Sequence, residues 1–360
     1  MDRRKFLAAG ITATFTAASA ATLGQTVEPY GVTAAPLNAP GLPLGPLPGS
    51  RYPDTHIEAI DAKRFPGGVG SGAVERVASG LRFAEGPAYF PAGGYLLFSD
   101  IENNRIMRLT VDDNHLSVFR SPSMNANGNT VDRQGRLITC EHAGRRVTRT
   151  EFDGSITILA DKYQGKRLGS PNDVAVAPDG SIWFTDPTYG IDLLGRYQGL
   201  KVDREQPGNF VYRIDPKTGT VTKVLDGFDQ PNGICFSPDG KRVYICDTGE
   251  TQKNIRAADV DLGKGTLANG KVFASDFAPG STDGVRCDTA GNVWCSMGWG
   301  DPKEDGVRCY APDGTLTGKI HLPETCGNLA WGGPQRNRLY MCASTSIYAV
   351  YLNAQGATWP

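Results

Sequence analysis

Residues 229–247 read DQPNGICFSPDGKRVYICD, and this stretch decides the fold. It predicts a β-hairpin, because two runs of alternating apolar residues flank a Pro238-Asp239-Gly240 turn. In that turn proline presets φ and glycine accepts a positive φ. The first strand opens at Asn232-Gly233, and the second strand ends at Asp247. The same unit recurs along the chain, which makes it a repeat rather than an isolated hairpin.

Six copies of this unit can be aligned, with openings that lie 42 to 60 residues apart. Repeats of about 40–50 residues built from short strands are typical of β-propeller blades. The openings present Glu85, Asn127, Asn172, Asn232, Asp283 and Asn328. The second strands end at Asp100, Glu141, Asp186, Asp247, Met297 and Ala343, each preceded by a small residue: Ser99, Cys140, Thr185, Cys246, Ser296 and Cys342.

The repeat predicts an all-β, six-bladed propeller of four-stranded blades over residues 73–360, in preference to five or seven blades. Residues 74–86 align with residues 221–233, which form the outer strand of one blade and the link into the next. No blade precedes residue 74. This strand is therefore predicted to pair with the C-terminal strand at 346–352, which closes the ring and removes an open sheet edge.

The N-terminus predicts export from the cytoplasm. Arg3-Arg4 stands before a weakly apolar stretch that contains the small-residue site Ala18-Ser19-Ala20. These features indicate a twin-arginine signal over residues 1–28, and a short membrane anchor is the alternative. We expect the mature protein to be periplasmic or secreted, without stable membrane association once the signal is cleaved.

Composition adds two expectations. The chain has 37 Lys and Arg against 38 Asp and Glu, a net charge of −1, so no nucleic acid or anionic membrane is expected as a partner. Residues 29–72 are rich in proline and glycine, which predicts a linker or an extended surface arm.

The eight cysteines do not form an obvious disulfide framework. Three of them, Cys140, Cys246 and Cys342, share the small-residue position of the repeat and are interpreted as buried packing residues. Cys287 and Cys295 face each other across a predicted hairpin, where a disulfide can form. No CxxC or CxxxH spacing is present, so no structural zinc site is predicted.

The six openings are expected to converge at one mouth of the central channel, because inner strands of a propeller run alongside it. They offer two carboxylates and four amides, all oxygen donors, which suit a hard divalent cation and above all calcium. The alternative is that these residues only cap turns at strand starts. Capping explains an isolated Asn-Gly, but it does not explain Glu85 in one copy and Asp283 in another.

The motifs at these openings resemble those of the gluconolactonase/regucalcin (senescence marker protein) family over residues 73–355. They are Glu85-Gly86-Pro87, Ser170-Pro171-Asn172-Asp173, Gln230-Pro231-Asn232-Gly233, Thr282-Asp283-Gly284 and Gly332-Gly333-Pro334. The resemblance implies a six-bladed propeller that binds one divalent cation through Glu85, Asn172, Asn232 and Asp283. It also implies that Asp283 acts as the proton donor and acceptor. Cys140-Glu141-His142 is similar to bacterial members in particular.

The chemistry can also be argued from the residues. A lactone is a cyclic ester, so a cation at its carbonyl oxygen acts as a Lewis acid, and a neighbouring carboxylate can move a proton. Further candidates for substrate contact are Asn127, His142, Asp247, Asn328 and Arg286. The alternatives are a solvated loop end or a hydrogen bond to a turn for Asp247 or His142, and surface or inter-blade packing for Arg286.

The predicted function is metal-dependent hydrolysis of a sugar lactone such as glucono-1,5-lactone. Ca²⁺ is the favoured cation, with Zn²⁺, Mn²⁺ or Mg²⁺ as alternatives. A propeller hydrolase for other lactones, esters or phosphotriesters and a non-catalytic binding propeller remain open. No GxSxG nucleophile motif or GxGxxG nucleotide motif is present. The insert at 189–208 is predicted to form a lid over the mouth.

Overall fold

The computed structural model describes residues 43–192 and 194–357, which form a six-bladed β-propeller. This confirms the predicted fold class. The predicted export signal at residues 1–28 lies outside the described residues, as do residues 29–42. No helix within the described ranges is both long and apolar enough to cross a membrane.

The strands follow the repeat in chain order. Three of them precede the first complete blade: β1 (Gly45–Pro46), β2 (Ile57–Ala59) and β3 (Glu75–Ser79). Blade one contains β4 (Ala84–Phe90), β5 (Tyr95–Asp100), β6 (Arg105–Thr110) and β7 (Leu116–Arg120). Blade two contains β8 (Ala126–Val131), β9 (Leu137–Glu141), β10 (Arg146–Thr150) and β11 (Ile156–Ala160), followed by the ribbon β12 (Lys162–Tyr163) and β13 (Lys166–Arg167).

The second half of the ring has the same organisation. Blade three contains β14 (Val174–Val176), β15 (Ile182–Asp186), helix α1 (Gly195–Gln198), β16 (Phe210–Ile214) and β17 (Val221–Leu225). Blade four contains β18 (Pro231–Phe236), β19 (Arg242–Thr248), β20 (Lys253–Asp261) and β21 (Thr266–Ala274). Blade five contains β22 (Ser281–Cys287), β23 (Val293–Gly298), a 3₁₀ turn (Pro302–Glu304), β24 (Gly306–Tyr310) and β25 (Leu316–His321). Blade six contains β26 (Cys326–Gly332), β27 (Arg338–Ala343) and β28 (Ser346–Tyr351).

The ring closes between the two ends of the propeller region, as predicted. Strand β3 pairs antiparallel with β28, in a register that sets Ala78 opposite Ile347. Blade six thus obtains its fourth strand from the N-terminal side of the chain. Strand β28 is therefore paired on both sides, with β27 and with β3, and is not left as an open sheet edge.

The described part of the predicted arm packs on the propeller. Strand β1 pairs with β3, and β2 pairs with β25, so the arm adds a fifth strand to blade six and to blade five. Leu47 and Phe65 are buried in a core cluster with Trp294. The arm therefore covers two outer sheet edges and also contributes apolar side chains to the interior.

Glycine follows the opening residue in several blades because adjacent inner strands approach each other closely there. A Cβ on Gly86 would lie 2.0 Å from the backbone oxygen of Asn127, and a Cβ on Gly233 would lie 2.2 Å from that of Asp283. Gly86 also has a φ of 51°, a conformation that favours glycine. Glycine is thus needed at these positions because the backbone of the next inner strand leaves no room for a side chain.

The small residues of the repeat hold the next blade in place. Ser99 donates its hydroxyl to the backbone oxygen of Asn127 at 2.6 Å, and Thr185 donates to that of Asn232 at 2.7 Å. Cys140, Cys246 and Cys342 are fully buried at the equivalent position, as predicted. Each hydroxyl thereby fixes an opening residue of the following blade.

The prediction that Cys287 and Cys295 face each other across the hairpin is wrong. In the register of β22 and β23, Cys287 lies opposite Val293, while Cys295 lies opposite Val285. All eight cysteines, each inside the described ranges, are free and buried. The sulfur nearest to Cys287 belongs instead to Cys235 on the neighbouring inner strand, with 3.7 Å between the two Sγ atoms.

Candidate functional site

The first residues of the inner strands line one cavity at a mouth of the channel, with a volume of about 440 Å³. Five of the six predicted opening residues face it: Glu85, Asn127, Asn172, Asn232 and Asp283. The sixth, Asn328, is buried beside them and donates its Nδ2 to Glu85 Oε2 at 3.1 Å. The repeat geometry thus brings together the whole set that the sequence singled out.

Two of these residues are carboxylic acids held away from water. Glu85 is only 3% exposed, and Asp283 only 8%. Burial, together with the negative charge of Asp173, raises the pKa of Glu85 to about 7. Burial, and then the charges of Glu85 and Asp173, raise the pKa of Asp283 well above its usual value. The site therefore concentrates negative charge that the surrounding protein only partly compensates.

The amide oxygens beside these acids are also uncompensated. The Oδ1 atoms of Asn127 and Asn232 are buried and accept no hydrogen bond from any described residue. The Nδ2 of Asn232 donates to the hydroxyl of Thr248 at 3.1 Å, which leaves its oxygen facing the site. Unpartnered buried acceptors are rare in folded proteins and indicate a ligand or ion.

This donor set fits an oxygen-preferring divalent cation. Buried carboxylates and amide oxygens are the ligands that calcium takes in proteins, and a cation would offset the repulsion between the two acids. No group of three or more His, Cys, Asp or Glu within the described ranges is arranged to hold a metal ion. The candidate ligands Glu85, Asn172, Asn232 and Asp283 form another type of site, because two of the four side chains are amides.

His142 lies directly behind one of the amides. Its Nε2 is 3.1 Å from Asn127 Nδ2, and its Nδ1 is 2.9 Å from the backbone oxygen of Gln198. The ring is completely buried, and this burial lowers the pKa of His142 to about 4. His142 is therefore neutral near neutral pH and touches Asn127 rather than lining the cavity itself.

The insert of blade three forms one wall of the cavity. Tyr189, Leu194 and Gln198 line it, which is where the predicted lid was expected. The hydroxyl of Tyr189 is 2.7 Å from that of Thr248, which also holds Asn232. Sequence reasoning missed Tyr189 and Gln198 because no other blade has an equivalent of the insert. It also missed Thr248, although this residue follows a strand-end acid as His142 does.

Asp247 lies apart from the cavity and supports it from behind. Its carboxylate accepts hydrogen bonds from the backbone N–H groups of Asp229 at 3.0 Å and Gln230 at 2.8 Å. A third interaction comes from Arg256 at 3.4 Å. Asp247 thus holds the link that leads into Asn232, and its oxygens have protein partners rather than facing a substrate.

Arg286 is placed on the other side of the opening residues, deeper in the channel. It lines a second cavity of about 180 Å³, formed by later residues of the same inner strands and by Trp331. The Nη1 of Arg286 lies 3.2 Å from Oδ2 of Asp173, which is fully buried. The sequence contains one sign of this ion pair. Asp173 interrupts the repeat, since four other openings have glycine at its position.

A family profile described as "SMP-30/Gluconolactonase/LRE-like region" matches residues 83–345. The chain belongs to this family. The match covers all six inner strands and every residue of the cavity named above, so family and geometry refer to the same part of the molecule.

Three relatives illustrate the similarity. A gluconolactonase of Zymomonas mobilis is 28% identical over 299 residues, which are 77% of this chain and 80% of that protein. A pentonolactonase of Haloferax volcanii is 31% identical over 272 residues, which are 74% of this chain and 82% of that protein. The crystallised gluconolactonase of Xanthomonas campestris is 32% identical, with a TM-score of 0.77, and the alignment covers 88% of this chain and 99% of that one.

Proposed function

We propose that this protein hydrolyses a sugar lactone in the mouth cavity, with a bound divalent cation and with Asp283 as proton donor and acceptor. The observation that carries the proposal is the buried pair Glu85 and Asp283, whose raised pKa values accompany two unpartnered amide oxygens. The gluconolactonase and pentonolactonase relatives support the substrate class. A volume of about 440 Å³ suits a small molecule.

Glu85, Asn172, Asn232 and Asp283 would hold the cation. Calcium is the favoured ion, because the four donors are oxygens and two of them are neutral amides. When bound, a divalent cation supplies Lewis acidity that polarises an ester carbonyl and stabilises negative charge on its oxygen.

Asp283 supplies the proton chemistry. A carboxylate beside the reacting carbonyl can take a proton from water and give it back within one turnover. It accepts a proton as water adds to the carbonyl carbon of the lactone. It returns the proton to the ring oxygen as the ester C–O bond breaks, so the product is an open-chain hydroxy acid.

The first test is hydrolysis of glucono-1,5-lactone by the purified mature protein, followed as acid release above the spontaneous rate. The assay is repeated after chelation and after restoration of Ca²⁺, Mn²⁺, Zn²⁺ or Mg²⁺. We expect activity to disappear with the metal and to return with at least one of the ions. A folded protein that binds the cation but shows no rate with any ion would contradict the proposal.

A second candidate is hydrolysis of lactones that carry an apolar or aryl group. It is favoured by the cavity rim, where Leu194 and Trp299 are 39% and 47% exposed. The side chain of Trp299 is presented from a backbone with a φ of 59°, an uncommon conformation for a bulky residue. Comparison of kcat/KM for glucono-1,5-lactone and dihydrocoumarin separates the two candidates.

We also propose that the protein acts after twin-arginine export, on the evidence of Arg3-Arg4 and Ala18-Ser19-Ala20. Cell fractionation of the full chain and of an R3K/R4K variant tests this. The full chain is expected in the periplasm or medium, and the variant is expected to stay in the cytoplasm. Equal distribution of the two forms would contradict a twin-arginine route.

A further inference from the structure

We propose that His142 is a positioning residue, which holds the amide of Asn127 with its carbonyl oxygen facing the cavity. In this arrangement helix α1 of the blade-three insert determines the orientation through the backbone oxygen of Gln198. The inference deepens the proposed function, because the oriented oxygen would accept a hydrogen bond from a hydroxyl group of the sugar lactone.

The first step concerns the end of helix α1. Gln198 is the last residue of this helix, so its backbone oxygen has no partner inside the helix. It lies 2.9 Å from Nδ1 of His142. A carbonyl oxygen can only accept a hydrogen bond. Nδ1 of His142 must therefore carry a hydrogen.

The second step concerns the other ring nitrogen. His142 is fully buried, and burial lowers its pKa to about 4, so the ring is neutral near neutral pH. A neutral imidazole has one N–H, and its second nitrogen is an acceptor. Nε2 of His142 is consequently the acceptor, and the group 3.1 Å away must be the NH₂ of Asn127.

The third step concerns the oxygen of Asn127. Since Nδ2 faces His142, Oδ1 points the other way, and it is buried without a hydrogen bond from the described residues. Asn127 lines the mouth cavity. The opposite orientation would set Oδ1 of Asn127 against the lone pair of Nε2, which is repulsive. The amide is thus held as an acceptor toward the ligand, and a polyhydroxylated lactone supplies matching donors.

The insert is packed closely enough on His142 to make this orientation specific. A Cβ on Gly190 would lie 2.5 Å from Cβ of His142. A Cβ on Gly199, the residue after helix α1, would lie 2.1 Å from the backbone oxygen of Gly190. Glycine at both positions lets the two turns of the insert contact each other and the imidazole.

Kinetics of two His142 variants test the proposal. In H142Q the side-chain oxygen can still accept from Asn127, whereas in H142L that acceptor is lost. We expect H142L to raise KM about tenfold with a smaller change in kcat, since it removes a contact made in the bound substrate. H142Q is expected to stay within about threefold of wild type. A purely structural role would lower the active fraction, and hence kcat, in both variants.

A double-mutant comparison shows whether His142 acts through Asn127. In N127A the oxygen is absent, so H142L is expected to cause no further rise in KM in that background. An equal rise in both backgrounds would overturn the proposal, as would equal KM values for H142Q and H142L. Thermal melts show whether H142L folds, and H142Q remains informative if it does not.

The tautomer provides a readout that needs no catalysis. The chain has four histidines, so loss of one set of imidazole ¹⁵N signals in H142Q assigns His142. We expect the signals of a neutral Nδ1–H ring in the wild-type protein at pH 7. A proton on Nε2 would overturn the inference even if lactonase activity is present. An Nδ1–H ring in a protein that hydrolyses no lactone would instead contradict the proposed function alone.

Discussion

The propeller has two sets of buried carboxylates, one at the starts of the inner strands and one at the ends of the second strands. Glu85 and Asp283 represent the first set, and Asp100 and Asp247 the second. All four are nearly inaccessible to solvent. Asp100 accepts from the backbone N–H groups of Arg82 and Phe83 and forms an ion pair with Arg105 at 2.8 Å, an arrangement similar to that of Asp247.

Among the described residues, neither Glu85 nor Asp283 forms an ion pair, and the pKa of each is raised. Burial is thus common to these four acids, while the supply of charged partners differs. Asp186, at the end of β15, is an exception in the second set, because its Oδ1 has no partner among the described residues and burial raises its pKa to about 7. An acid with a cationic partner serves the fold, and an acid without one has a use for an external cation or proton. Partners, rather than burial, distinguish the functional carboxylates.

The largest expected effect is on turnover, when an acid at the start of an inner strand is replaced. D283N removes the group that moves the proton, so kcat for glucono-1,5-lactone is expected to fall by about 10²–10⁴-fold. The fold should survive, as judged by circular dichroism. A variant that keeps the full wild-type rate would show that Asp283 has no acid–base role.

Replacing one acid from each set should change the stability of the metal-free protein in opposite directions. D283N relieves repulsion with Glu85 and is expected to raise the free energy of unfolding. D247N removes one carboxylate oxygen from the backbone N–H groups of Asp229 and Gln230, which should cost about 1–3 kcal/mol. Urea denaturation in the presence of a chelator measures both. Destabilisation of similar size in both variants would remove the distinction between the sets.

The pH dependence of the metal-free protein tests the raised pKa of Glu85. Its pKa is about 7 in the folded protein against a usual 4.5. Between pH 4.5 and 7, the folded state therefore keeps a proton on Glu85 that the unfolded state has released. Stability should therefore fall as pH rises from about 4.5 to 7, by on the order of 3 kcal/mol. Melting curves with a chelator measure this trend, and saturating cation should reverse it above pH 7. A stability that rises across this window would contradict the assignment.

The smallest expected effect comes from the insert that supports the inner set. G199A would place a Cβ against the backbone oxygen of Gly190 and so shift the carbonyl of Gln198. We expect KM for the lactone to rise by about threefold to tenfold. G270A is the matched control, because a Cβ there meets nothing within 4 Å. If both variants behave as wild type, the contact between the insert and His142 is not needed for binding.

The repeat predicted most of the fold and the composition of the site. Spacing and turn residues identified six blades, the closure of β3 on β28, and the convergence of the six opening residues. These features follow from local patterns, since each hairpin is encoded within about 20 consecutive residues and the ring then sets the strand starts side by side. His142 was found through its place after a strand end, although its contact is with Asn127 rather than with the cavity.

The placements that differ from a simple reading of the repeat depend on side-chain direction and register. Asp247 was expected near the substrate, but its oxygens turn toward the backbone of the preceding link. Arg286 was a candidate for substrate contact, and it lies deeper in the channel against Asp173. Cys287 was expected opposite Cys295, and a different register placed it beside Cys235. None of these outcomes is encoded in spacing along one strand.

The amino-acid sequence by itself determined the number of blades, the ring closure and the residue types that meet at the mouth. These depend on periodicity and turn chemistry, which act over short distances along the chain. Only the tertiary structure decided which buried acids remain without partners and which way the amide of Asn127 faces. Those properties arise from atoms that are far apart in sequence, such as Gln198 and His142, because a hydrogen-bond donor or acceptor is defined by its neighbours in space.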